Sequence, residues 1–281
     1  MKAHVPGRAA PRGRAHRGTA GLSRLAASVV ATAALLALTA GTAGAATSPY
    51  SGSGYDASYP SAQCSASAYP GGFAIIGLGG GRPFTTNSCL AHEWAMASAS
   101  GTSAVPSLYF NTGYAGAYAK QITAGCKNAV ANAPIPAGTT GHQKSVEQQA
   151  WEIGCSEAAY AAAHQPGTPA MWWADIETGN SWSANTTDND LAIDGIAYQM
   201  STLPAAAGAA VGVYSTPAMW NQIAGPGFVS TPAVTADWQP ASTCPASGFT
   251  RQGASAYSPV WLIQNGTVTV NSVSYDSDQA C

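Results

Sequence analysis

Met171-Trp172-Trp173-Ala174-Asp175-Ile176-Glu177-Thr178-Gly179-Asn180-Ser181-Trp182 carries the pattern from which the rest of the chain can be read. It opens on an apolar run without strict polar alternation. Such a run suits a strand covered on both faces, as the strands of parallel sheets are. Side chains two apart on a strand share a face, with Cα atoms roughly 6.5–7 Å apart. A strand over residues 171–177 therefore projects Asp175 and Glu177 together. In a barrel the two stand at the C-terminal mouth, where barrel active sites lie.

Seven further short apolar segments accompany this one, at residues 54–58, 73–78, 107–111, 210–214, 233–238, 260–264 and 273–276. Helical patterns lie between them. Leu90, Trp94 and Ala97 recur at helical spacing after Asn87-Ser88, and Ser145 with Gln148 forms a capping box ahead of Val146, Ala150 and Ile153. Asp188 and Asp190 favour the N-terminus of a helix whose apolar face is Ile193, Ile196, Ala197 and Met200. Residues 217–223 make a short helix, and 240–258 are mostly loop. Alternating β and α units imply a parallel sheet, and eight strands in one domain imply closure. The expected fold class is therefore α/β, a single-domain (β/α)8 barrel of TIM type; an open doubly wound sheet is the competing arrangement.

Two acids on one buried face disfavour simultaneous ionisation, which raises one pKa. A neutral acid beside an ionised carboxylate is what glycosidic bond cleavage uses. The same Asp-x-Glu pattern also arises where a Glu only caps a helix or pairs with a loop. Asp56 ends the first candidate strand and Asp276 the last. In a closed barrel these strands adjoin, so both acids face the same mouth as the pair. Each is also a residue type common in ordinary turns.

The ordered segments Gly54-Tyr55-Asp56-Ala57-Ser58, Trp173-Ala174-Asp175-Ile176-Glu177, Val211-Gly212-Val213-Tyr214-Ser215, Trp261-Leu262-Ile263-Gln264 and Tyr275-Asp276 resemble the strand motifs of glycoside hydrolase family 25. Those are lysozyme-like muramidases with a (β/α)8-type barrel. The chain is more similar still to exported actinobacterial proteins described as glycoside-hydrolase-like, through Ser107-Leu108-Tyr109-Phe110-Asn111-Thr112-Gly113 and Glu177-Thr178-Gly179-Asn180-Ser181-Trp182. The resemblance implies that Glu177 is the general acid. It implies that Asp175 stabilises the cationic centre or the substrate's N-acetyl group, with Asp56 and Asp276 as accessory acids. One strand departs from the pattern: Gly77-Leu78-Gly79-Gly80-Gly81-Arg82 stands where family 25 enzymes carry a Thr-Glu-Gly-like ending.

The first residues have another character. Lys2, Arg8, Arg12, Arg14, Arg17 and Arg24 precede an apolar stretch over 25–40 and the small residues Ala43-Gly44-Ala45-Ala46, the order of a secretory signal peptide. A retained anchor competes, but the apolar stretch is shorter than the roughly 20 residues that span a bilayer. Residues 1–46 are read as the signal peptide and 47–281 as one barrel domain, secreted, monomeric and free of the membrane after cleavage. All 13 acidic residues follow the leader, where only Arg82, Lys120, Lys127, Lys144 and Arg251 are basic. So acidic a surface offers no footprint for nucleic acid. Cys64, Cys89, Cys126, Cys155, Cys244 and Cys281 are even in number, which in an exported protein reads as three disulfides. Six cysteines allow 15 pairings; the expected one joins neighbours in sequence. A zinc site is the rival reading, but no CxxC or CxxH clip is present.

Tyr109, Trp182, Tyr214 and Trp238 fall on or just after candidate strands, where aromatic faces could pack on sugar rings or simply fill the core. Asn111 and Gln264 could bond sugar hydroxyl or acetamido groups. Gly77-x-Gly79 lacks the third glycine and the later acid of a dinucleotide loop, no GxSxG elbow is present, and His92, His142 and His164 have no partner at ligand spacing. The sequence thus points to a secreted glycosidase acting on amino-sugar polymer such as cell-wall peptidoglycan, needing neither metal nor organic cofactor. A barrel that binds glycan without cleaving it is the alternative. Two features discriminate: carboxylates that flank a bond stand roughly 5–9 Å apart, and Glu177 locked to Arg82 or a lysine would favour binding.

Overall fold

A computed structural model describes residues 47–58, 62–99, 105–208 and 210–281. The expected signal peptide, residues 1–46, lies outside them. The strands are β1 (Ser53–Ala57), β2 (Phe73–Gly77), β3 (Ser107–Asn111), β4 (Trp172–Asp175), β5 (Val211–Tyr214), β6 (Ala236–Pro240), β7 (Val260–Val270) and β8 (Val273–Ala280). They close into one barrel in chain order. The helices are α1 (Leu90–Ala99), α2 (Ala124–Ala129), α3 (Gly141–Ala163), α4 (Thr186–Met200) and α5 (Pro217–Ile223).

Closure and strand number match the expectation; the repeat does not. From β1 to β7 neighbouring strands run parallel, but β8 is antiparallel to both β7 and β1. Only Asn271 and Ser272 separate β7 from β8, and both take positive φ, 48° and 67°. That is the geometry of a tight hairpin turn, whereas a parallel return needs a crossover of a dozen or more residues. Among the described residues, helices occupy only the connections between β2 and β6. The barrel is therefore mixed, not a uniform (β/α)8 repeat.

Local signals explain the helices. Thr216 accepts from Met219 N at 3.1 Å ahead of Pro217, which opens α5, and Asn185 caps α4 by accepting from Thr187 N. The expected capping box at Ser145 is not formed. Ser145 lies inside α3 and donates back to Gly141 O. Glycines let α3 and α4 pack backbone to backbone: a Cβ at Gly154 would strike Ala192 O, and one at Gly195 would strike Trp151 O.

Strand parity divides the core. Trp172, Ala174 and Ile176 face outward with Ile193, Ile196 and Met200 of α4. Phe73, Ile75, Met171, Trp173, Ala236 and Trp238 fill the barrel with Tyr50. Tyr50 closes the far end, accepting from Trp173 Nε1 at 2.8 Å and bonding Ser107 Oγ. The disulfides are Cys64–Cys89, Cys126–Cys155 and Cys244–Cys281, the sequence-neighbour pairing. No helix among the described residues is long and apolar enough to cross a membrane.

Candidate active site

The inward parity that buries Trp173 also turns Asp175 into the barrel mouth. A cleft of about 280 Å³ opens there, lined by Asp56, Asp175, Glu177 and Asp276, by Tyr109, Asn111, Tyr214, Trp238 and Gln264, and by Ser58 and Gly81. It thus gathers the four acids singled out in the sequence and five of the six candidate sugar-binding residues. Trp182 is not among them. Its indole N–H donates to Glu177 O at 2.9 Å, and its ring borders a separate depression with Asn180 and Asn189.

β4 ends at Asp175, so Glu177 is not held by strand pairing as the sequence suggested. Side chains strap the following residues instead. Thr112 Oγ1 donates to Asp175 O at 2.6 Å, Ser215 Oγ to Ile176 O at 2.6 Å, and Trp182 Nε1 to Glu177 O. Ile176 N also reaches Tyr214 O at 2.9 Å. Three consecutive carbonyls are thereby fixed from three different loops, and Glu177 is aimed by tertiary contacts. Aromatic rings make the floor: Trp238 packs against Tyr214 at 4.4 Å and Trp173 at 5.8 Å between centroids.

The acids form two hydrogen-bonded pairs; Asp175 lies deeper than Glu177, while Asp56 and Asp278 are both buried. Asp175 is buried, its Oδ2 accepting from Asn111 Nδ2. Its carboxyl bonds that of Glu177. Burial, and then the charge of Glu177, hold Asp175 well above the usual carboxylate range. Glu177, raised by burial, is partly relieved by the bond from Asp175. Both carboxyls are thus pushed toward the protonated form, Asp175 by burial and by the charge of its neighbour. Asp175 Oδ1 is a buried oxygen with no hydrogen-bond donor among the described residues.

The second pair was missed in the sequence. Asp278, two residues beyond Asp276 on β8, bonds the carboxyl of Asp56. It also accepts from Trp238 Nε1 at 2.9 Å. Burial pushes Asp56 up to about 7 and Asp278 well above its ordinary value. Gln264 Nε2 donates to Asp56 Oδ2 at 3.0 Å and its Oε1 accepts from Tyr214 OH at 2.9 Å. Period-two alternation would have revealed Asp278 had the last strand been carried past Asp276.

Among the described residues no basic side chain lines the cleft, and Glu177 makes no ion pair with Arg82 or a lysine. Among the described residues no group of three or more His, Cys, Asp or Glu side chains is placed to hold a metal ion. In contact, the Asp175 and Glu177 carboxyls are closer than the expected 5–9 Å, so they cannot stand on opposite sides of one glycosidic bond.

No protein-family model and no curated protein matches the chain. Among solved structures, a muramidase from Trichobolus zukalii is 14% identical, with 82% of this chain and 94% of that one covered and a TM-score of 0.48. An uncharacterized B. stearothermophilus protein is 13% identical over 82% and 95%, with a TM-score of 0.40. Likenesses this distant carry no functional argument; the closed eight-stranded barrel with its acid-lined mouth is what the chain itself presents.

Proposed function

We propose that the protein is a secreted glycoside hydrolase cleaving an N-acetylated amino-sugar polymer such as bacterial peptidoglycan. The observation that carries this reading is the Asp175–Glu177 hydrogen bond in an acid-lined cleft where no cation among the described residues neutralises Glu177. The three disulfides fit an oxidising compartment.

Direct displacement by a carboxylate opposite the acid requires the roughly 5–5.5 Å spacing of retaining pairs. Two carboxyls in contact favour a division of labour on one side of the sugar. Asp175 orients the substrate's acetamido group, whose oxygen closes on the anomeric carbon as the glycosidic bond breaks. Glu177 protonates the departing oxygen. An acetamido N–H bonded to Asp175 stabilises its ionised form, so the proton passes along the existing hydrogen bond to Glu177. Transfer within a preformed contact needs little reorganisation. Tyr214 and Trp238 offer ring faces to the sugar, with Asn111 and Gln264 as polar partners.

The test is release of reducing sugar from purified peptidoglycan, with chitin as second polymer, comparing wild type with Glu177→Gln as disulfide-bonded protein. Loss of about 10²–10⁴-fold in rate with unchanged circular dichroism supports the assignment. A second reading, a glycan-binding barrel without turnover, is favoured by one observation: the two carboxyls bond each other instead of flanking a glycosidic bond. Retention of the polymer by wild type without any sugar release would establish it and overturn the hydrolase.

A further inference from the structure

Beside the acid-lined cleft lies a second cavity of about 260 Å³, walled by Arg82, Pro83, Tyr118, Asn180 and Ser181. The two share Gly81, and Asn180 in turn borders the depression beside Trp182. Each hollow thus shares one wall residue with the next.

The second hollow differs from the first in charge. Its wall includes Arg82, one of only five basic residues after position 46. Arg251, by comparison, is committed to Pro226 O, Ala254 O and Tyr257 OH. The Arg82 guanidinium has no partner among the described residues, and the residue is exposed. Its main chain, however, is fixed: Thr85 Oγ1 donates to Arg82 O at 2.6 Å and accepts from Gly80 N at 2.9 Å. The opposite wall is set by close approach, since a Cβ on Gly113 would press on Ser181 O and Pro83. An anchored loop therefore holds an uncommitted guanidinium at a formed cavity. Its planar fork of donors matches a carboxylate in bidentate fashion. An anion beside Glu177 and Asp276 would otherwise be repelled, so the cation has a definite task there.

We propose that this cavity is a subsite for a carboxylate carried by the sugar unit next to the one in the acid-lined cleft, with Arg82 as the recognising residue. The proposal rests on the glycan reading of the neighbouring cleft. Arg82 selects an anionic polymer over a neutral one, and the loop at residues 77–82 is the device that presents it.

The test is calorimetric binding to the Glu177→Gln protein, which cannot turn over. The probes are a peptide-free tetrasaccharide alternating N-acetylglucosamine with its 3-O-lactyl ether, and the same compound with its lactyl carboxyls amidated. The acid form is expected to bind about tenfold tighter at low ionic strength. The preference should shrink with added salt, vanish on Arg82→Gln and return in part with Arg82→Lys. Equal binding of the two probes, or a preference that survives Arg82→Gln, overturns the subsite and leaves the hydrolase standing. Failure of both probes to bind overturns both.

Discussion

At the scale of single residues, the site works by burying acids that would rather face water. Asp175 has lost its hydration and stands against another carboxyl, so it keeps a proton that an ordinary aspartate would have released. The pair gives the rate two ionisations: one carboxyl must release its proton, and the other must keep its own. Activity should therefore be bell-shaped in pH, with its basic limb above the ordinary glutamate value of about 4.3, because burial raises Glu177. Asp175→Asn leaves one titrating member. A rate lowered about 10²–10³-fold with only the basic limb remaining is expected when kcat/KM is measured against pH. A bell that survives the substitution would assign the acidic limb elsewhere, with the Asp56–Asp278 pair as its source. Trp182 shows what residue type leaves open: its N–H is spent on Glu177 O, and its ring borders the neighbouring depression instead of the acid-lined cleft.

At the scale of elements, two features decide the shape of the mouth. The β7–β8 hairpin reverses the last strand and brings Asp276 and Asp278 alongside β1 and Asp56. The α3–α4 contact packs the helix that follows β4 against the one that precedes it, with Gly154 and Gly195 in the contact. On an isolated helix, Gly→Ala stabilises by up to about 1 kcal/mol. Here the added methyl meets backbone, and Gly195→Ala is expected to destabilise by about 1–3 kcal/mol. Urea denaturation decides the sign, and an unchanged or higher midpoint would mean the helices have room to part.

At the scale of the whole molecule, the fold stores protons. Burial pushes Asp56, Asp190 and Asp237 up to about 7 and Asp194 to about 8, and holds Glu157, Asp175 and Asp278 higher than usual. A carboxyl raised in the fold retains its proton where the unfolded chain, with values near 4, has lost it. Its stabilising effect is complete below pH 4 and is lost as pH rises through the folded value. Each tenfold difference in proton affinity between the two states is worth about 1.4 kcal/mol, or about 3–5 °C in Tm at this chain size. Scanning calorimetry at constant ionic strength should give a higher Tm at pH 5 than at pH 8. Equal values, or a higher one at pH 8, would show that water reaches these groups. Asp237 illustrates the cause: it is fully buried, and its donors come from Phe249 and Thr250 in the loop between β6 and β7.

The sequence by itself determined the strands and most of the acids, because strand burial and side-chain parity are local properties written at spacings of one and two residues. Residues 107–111 were bounded to the residue, and Asp56, Asp175 and Asp276 were turned to one mouth, although Asp276 lies within β8 and not at its end. The hairpin was also legible in principle, since Asn271-Ser272 is too short to cross over. It was missed because the last two strands were read too short to meet. Tertiary structure alone decided which acids share a proton, where Glu177 points once its strand has ended, and that Arg82 borders the same mouth. Those depend on groups brought together from distant loops, such as Thr112 and Ser215 around one turn of chain. Desolvation and hydrogen-bond partnership arise only when such segments meet, so no local spacing encodes them.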